Sequence, residues 1–146
     1  MKNKLIVGCL EICHLPELSI VDLQVRIDTG AKTSSLHVDN IVRFNQSGKP
    51  WVSFDIHPDI YEVEDIIQCK AKLCDTRRIK SSNGAVEERY IIETMLALGN
   101  ASWPIQLSLT NRADMSYLML LGREAMADKV LVDPSQNYLT DRPLAP

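Results

Sequence analysis

Along the chain, short runs of β-branched and aliphatic residues alternate with turn-forming residues, and only one stretch reads as a helix. KLIVGCLEI, LQVRIDT, IVRFN, WVSFDIH, DIIQCKAKL, RYIIETMLAL and SWPIQLSLTN each predict a strand. NQSGKP, between Phe44 and Trp51, predicts a hairpin loop, and SSNGAVEERY carries Asn83-Gly84, the strongest short hairpin signal available. LGNASWP supplies another turn before the strand opened by Trp103. VDLQV could open a helical turn, but its pattern favours strand. REAMADKV, after YLMLLG, has high helix propensity with Glu124 in its first turn. It is expected to last about two turns before VLVDPS returns to extended chain and Pro134 forbids helix. With no repeat, linker or low-complexity block, residues 1–146 read as a single domain, with a core over 5–138 and a frayed tail over 139–146. The class is all-β with one short C-terminal helix, closed or partly closed into a barrel.

Composition narrows the function without naming it. A chain of 146 residues with 45% apolar positions can bury a core, and a net charge of -3 with mixed signs predicts no nucleic-acid partner. The apolar opening KLIVGCL is interrupted by Glu11 and is too short to span a membrane or serve as a signal-peptide core. A soluble, cytoplasmic protein without a membrane partner is the expectation. Cys9, Cys13, Cys69 and Cys74 lack zinc-knuckle spacing and read as free thiols. His14, His37 and His57 are far apart, and neither H-E-x-x-H nor a glycine-rich phosphate loop occurs, so no metal and no cofactor are expected. His37, beside the most interesting turn of the chain, reads as a satisfied histidine in the strand that follows it.

That turn lies in RIDTGAKTSSLH, from Arg26 to His37. Asp28 ends the strand LQVRI, Thr29 can fix the turn through its hydroxyl, and Gly30 permits a tight bend. An Asp-Thr-Gly turn closing a strand is how aspartic peptidases present a catalytic carboxylate. Two facing carboxylates cannot both ionise, so they share a proton and titrate as a pair. The pair activates a water as general base and protonates the scissile carbonyl oxygen. The bland alternative is a solvated Asp28 capping a strand-ending turn. MLLGRE joins an apolar strand to Gly122 and the helix, and in aspartic peptidases such a segment packs beneath the D-T-G loop. Leu121, Gly122 and Arg123 are thereby expected to support the site. RRIKSSNGAVEERYII could fold over it as a flap, with Ser82, Asn83, Gly84 and Arg89 joining Ala31 and Lys32 in holding a peptide. Only one D-T-G occurs, and Asp75, Asp114 and Asp133 sit in no comparable turn, so a symmetric homodimer would have to supply Asp28 twice.

GCLE at Gly8 to Glu11, LPEL, DTGAKTSSLH, GKPWVSFDIHP, SSNGAVEERYIIET, LTNRADM and LLGREAM followed by VDPS occur in one order from about Leu5 to Tyr138. Together they resemble the retropepsin-like family described as ATP-dependent zinc proteases and associated with ATP-grasp glutamate ligases. The resemblance implies a single-domain retropepsin-like, acid-protease barrel with Asp28 as the catalytic group. It further implies an endopeptidase that processes glutamate-ligase products, with a peptide or protein substrate, glutamate-rich or not, and a ligase as partner. The family's zinc label and its ATP label find little support in these residues.

The chain also departs from the retroviral pattern. The position of Lys32 is usually acidic there and pairs with the arginine that here is Arg123, which must find another carboxylate, Glu11 or Glu124. Arg26 stands two before Asp28, flanked by Val25 and Ile27, so strand alternation points it away from the core. Lys32 could attract an acidic substrate or simply be solvated. Arg77, Arg78, Lys80 and Arg89 could grip anionic side chains, or form the solvent face of a hairpin partly neutralised by Glu87 and Glu88. Arg112 and Asp114 could orient the segment before the LLG strand or lie in a polar loop. The competing readings are a catalytically silent peptide- or ligase-binding module of the same fold, and a zinc-dependent protease.

Overall fold

The computed structural model describes residues 3–57, 66–80, 83–111 and 117–141. The chain forms a closed six-stranded β-barrel with one short helix, a single small domain of retropepsin-like architecture. Among the described residues eleven strands follow in order: β1 Leu5–Val7, β2 Leu10–Leu15, β3 Ile20–Ile27, β4 Ser34–His37, β5 Asp39–Gln46 and β6 Lys49–Ile56, then β7 Ile67–Lys80, β8 Val86–Leu98, β9 Ala101–Thr110, β10 Met119–Leu121 and β11 Val130–Val132. The helix α1, Arg123–Met126, lies between the last two strands. A nine-stranded sheet runs β2-β3-β10-β4-β9-β8-β7-β6-β5 and closes through β2 on β8, while β1 and β11 form a separate parallel pair.

Strand alternation builds the interior. In β3 the buried positions are Ile20, Leu23, Val25 and Ile27, and Arg26 points outward as its neighbours require, its guanidinium 5.6 Å from the Tyr117 ring. Leu36, Leu107, Leu109, Met119 and Leu121 fill the same core from β4, β9 and β10. Pro104 falls in β9 before its pairing with β4 begins at Leu107, so its missing N–H costs that ladder nothing.

Three expectations change. KLIVGCLEI is two strands in two sheets, broken where Gly8 lies so close to Gln136 that a Cβ would stand 2.3 Å from its carbonyl oxygen. The helix ends at Met126, because Ala127 leaves helical geometry and Asp128 takes φ 65 to turn the chain toward the pairing of Val130 with Leu5. The tail is tied down at its start: Leu139 and Thr140 donate their backbone N–H groups to the Glu11 carboxylate at 2.9 and 3.1 Å. Residues 142–146, Arg112 and Asp114 lie outside the described residues. No helix among the described residues is long and apolar enough to cross a membrane.

Candidate active site

The sheet order places β10 between β3 and β4, parallel to the first and antiparallel to the second. The loop carrying Asp28 therefore leaves β3, bends over the end of β10 and re-enters as β4. Its bend is held from below: Asp28 N–H donates to Leu121 O at 2.9 Å, Arg123 N–H to Ala31 O at 2.8 Å, and Glu124 N–H to Lys32 O at 3.2 Å. Gly122 N–H donates to Ser34 Oγ at 2.9 Å. Only glycine fits there, since a Cβ would lie 2.8 Å from the Thr33 carbonyl carbon and 2.9 Å from Ala31 O. The support expected of Leu121, Gly122 and Arg123 thus has a geometric basis.

Asp28 is half-buried, and its Oδ1 accepts the Gly30 N–H at 2.9 Å. Gly30 does not take a positive φ. What it gives is that N–H and room, because a Cβ would come within 3.2 Å of the same oxygen. Thr29 is exposed beside it. An open cleft of about 870 Å³ extends from this turn. Its lining joins Asp28, Gly30, Ala31, Lys32, Thr33 and Ser35 from the loop and β4 to Arg77, Arg78, Ile79 and Lys80 of β7, Arg89 of β8, Leu120, Arg123 and Glu124. Six cations therefore face two carboxylates. One of those carboxylates, Glu124, is met by Lys32 at 3.6 Å. Thr33, Ser35, Ile79 and Leu120 were not legible as lining residues, since nothing in TSSLH, RRIK or MLL marks which side chains face the cleft.

Arg123 corrects one expectation. Among the described residues it pairs with neither Glu11, which is fully buried, nor Glu124, which meets Lys32, and its Nη1 donates instead to Gly30 O at 3.2 Å, so the arginine braces the turn through a carbonyl. Glu11 has a different role: besides the tail it takes the Gly8 N–H at 2.8 Å and the Thr140 hydroxyl at 2.7 Å. The spacing of Gly8 and Glu11 is thus a clamp between the chain's two ends.

The proposed flap is the paired arm of β7 and β8, from Leu73 opposite Ile92 to Lys80 opposite Val86. Gly84 takes φ 87 in its turn and the Asn83 side chain accepts the Ala85 N–H at 3.0 Å, both residues being exposed at the hairpin end and outside the cleft lining. Ser82 lies outside the described residues. Arg89, for which a grip on anionic side chains and the solvent face of this hairpin were equally open, is only 5% exposed. Its Nε donates to Glu87 at 3.1 Å, and its Nη1 to Ser35 and Ser108 hydroxyls at 3.1 and 3.3 Å.

The other carboxylates named from the sequence are committed elsewhere. Arg77, with help from the Thr76 N–H, holds Asp75 below the usual carboxylate range, and the Ser135 hydroxyl and N–H do the same for Asp133. At the other end of β4, His57 Nε2 lies 2.9 Å from Asp39. Burial lowers the His37 pKa, with His57 adding to the effect and Asp39 opposing it. His37 is not a satisfied histidine within the described residues, because its Nδ1 is buried without a partner there. No group of three His, Cys, Asp or Glu side chains among the described residues is placed to hold a metal ion.

A barrel whose D-T-G loop is threaded from below by a Leu-Leu-Gly strand defines a retropepsin-like domain. Residues 6–143 match the RimB-like family, described as retropepsin-like aspartic endopeptidase RimB, and the chain belongs to it. The crystal structure of Lpg0085, a protein of unknown function from Legionella pneumophila, superposes with a TM-score of 0.81 at 28% identity, covering 95% of this chain and all of that one. A probable alpha-L-glutamate ligase of Shewanella halifaxensis is 48% identical over 136 residues, 93% of this chain and 30% of the relative. A protein of the same name from Parasynechococcus marenigrum is 45% identical over 138 residues, 94% of this chain and again 30% of the relative. This chain therefore spans under a third of the length of these relatives.

Proposed function

We propose that the chain is an aspartic endopeptidase whose working site unites Asp28 from two copies and cleaves acidic, glutamate-rich peptides. The observation that carries this reading is the position of Asp28, braced at the rim of a cleft lined by Lys32, Arg77, Arg78, Lys80, Arg89 and Arg123. A lone carboxylate cannot share a proton, and the exposed Thr29 beside it suits an approach by a second D-T-G loop. In the united site the Asp28 pair activates a water and protonates the scissile carbonyl oxygen, while the cations take the substrate's carboxylates. Homology to a third of proteins named glutamate ligases supports glutamate-bearing products as the substrate class and a ligase as partner. The cytoplasm, where such ligases would find ATP, is the compartment this reading implies.

The test is cleavage of a blocked oligo-glutamate peptide by the wild-type chain and by Asp28→Asn. Loss of cleavage with an unchanged circular-dichroism spectrum is expected; cleavage surviving in the variant refutes the mechanism. A silent binding module is the second reading, favoured by the single catalytic carboxylate that each chain brings. It predicts peptide binding without cleavage even at concentrations where dimers form.

A further inference from the structure

We infer that Arg89 is the residue that selects an acidic substrate side chain, and that Glu87 occupies it as an internal stand-in until substrate arrives. The inference rests on the acidic-peptide reading of the cleft and deepens it. Arg89 is a cation in the cleft wall whose own residue is 5% exposed, so its charge is removed from bulk water and strongly favours a carboxylate partner. Its guanidinium is held in place by neutral groups, the Ser35 and Ser108 hydroxyls on Nη1, which fix its direction without neutralising it. Those two hydroxyls are 3.0 Å apart, and Ser108 donates on to Ser34 O at 3.1 Å, so the ledge is anchored to the strand that follows the Asp28 loop. Of the five donors of an arginine, the two on Nη2 have no bond among the described residues.

The only carboxylate on Arg89 among the described residues is Glu87, at 3.1 Å through Nε, and its side chain is 41% exposed. Glu87 also accepts the Thr110 hydroxyl at 3.2 Å, giving it a second anchor that remains if the arginine is taken. Backbone pairing of β8 with β9 reaches to Ile91 opposite Ser108, so Glu87 and Arg89 lie on the arm beyond it, and their side-chain bonds to Thr110, Ser35 and Ser108 tie that arm to the body. An incoming carboxylate presents the same chemistry as Glu87 and competes for the same guanidinium. A neutral amide of equal shape does not, because it leaves the buried charge less well compensated.

The experiment measures binding of blocked oligo-glutamate and oligo-glutamine peptides of equal length to chains carrying Asp28→Asn, so that cleavage does not intrude. Adding Glu87→Gln removes the stand-in and is expected to raise affinity for the glutamate peptide about tenfold, with a larger thermal upshift on binding and no gain for the glutamine peptide. Adding Arg89→Lys, which keeps charge but not the fork, is expected to cut the preference for glutamate by about tenfold or more. A gain of affinity cannot arise from misfolding, so Glu87→Gln decides the matter even if Arg89 variants fold poorly. If glutamate is preferred but neither variant moves that preference, the inference is overturned and the acidic-peptide reading stands. If the Asp28→Asn chain shows no preference for glutamate, both fall.

Discussion

Adding one methyl group at Gly122 tests whether the threaded strand positions the Asp28 loop. A Cβ there would stand 2.8 Å from the Thr33 carbonyl carbon, 2.9 Å from Ala31 O and 3.0 Å from Thr33 O. All three atoms are backbone, so no side-chain rotation relieves the clash. Ordinary contact begins at 3.4 Å, which requires a retreat of about 0.6 Å between β10 and the loop. That retreat strains the bonds of Gly122 N–H to Ser34 Oγ at 2.9 Å and of Arg123 N–H to Ala31 O at 2.8 Å. Overpacking of this kind costs about 1–3 kcal/mol, and two weakened bonds about 1 kcal/mol each. Against this, alanine restricts the unfolded chain and returns about 0.4–1 kcal/mol. The expected net loss for Gly122→Ala is about 2–4 kcal/mol, large beside a total stability of about 5–15 kcal/mol. Urea denaturation followed by tryptophan fluorescence measures it, with Trp103 a local reporter because its indole N–H donates to Ala125 O of α1 at 2.9 Å. Gly84→Ala is the control: its φ of 87 is unfavourable, yet nothing lies within 4 Å of the added carbon, so a loss of about 1–2 kcal/mol from backbone strain alone is expected. A Gly122→Ala loss below 1 kcal/mol, or one no larger than that of Gly84→Ala, refutes the reasoning.

Glu11→Ala strips the acceptor from three backbone N–H groups and a hydroxyl, and is expected to cost about 3–6 kcal/mol in thermal or urea denaturation. Glu11→Gln, which keeps one oxygen and the shape, falls between it and wild type; an alanine cost under 1 kcal/mol would sink the clamp. Burial pushes the Cys13 thiol up to about 12 and that of Cys69 up to about 11, from the ordinary thiol value of 9.0. A raised folded value means that stability is intact below pH 9 and is lost as pH climbs toward 11 and 12, because the unfolded chain sheds those protons first. Thiol labelling of the native chain at pH 8 should therefore modify exposed Cys74 and spare Cys13 until unfolding. Equal rates at the two would contradict the burial.

The strands that pair as hairpins were legible because their alternation and their turns agree: β5 with β6 across Ser47-Gly48, and β8 with β9 across Gly99-Asn100. Less legible were the bounds of elements defined by distant partners. β4, expected only as the strand that holds His37, is the four residues SSLH, and its extent is set by β9 and β10 on either side. The break at Gly8 depends on Gln136, more than a hundred positions away, and the early end of α1 depends on β1. The same division holds at the site. Asp28 and the Leu121-Gly122 support carry local signatures, whereas the burial of Arg89 comes from the crossing of β4, β8 and β9, which no spacing in EERY announces.

Charge placement adds a last constraint on how such a cleft would work. The chain as a whole carries -3, yet the lining of the cleft holds Lys32, Arg77, Arg78, Lys80, Arg89 and Arg123 against Asp28 and Glu124. The surface outside the cleft is therefore more acidic than the total suggests, and at long range it repels an acidic peptide. Screening confines that repulsion to about 8 Å at physiological salt, so a peptide must come close before the cations prevail. Attraction then acts over the cleft alone and rewards a chain that presents several carboxylates in register with it. Selectivity of this kind is decided by side chains already in contact, as an arginine buried in the cleft wall requires, and owes little to electrostatic steering from solution.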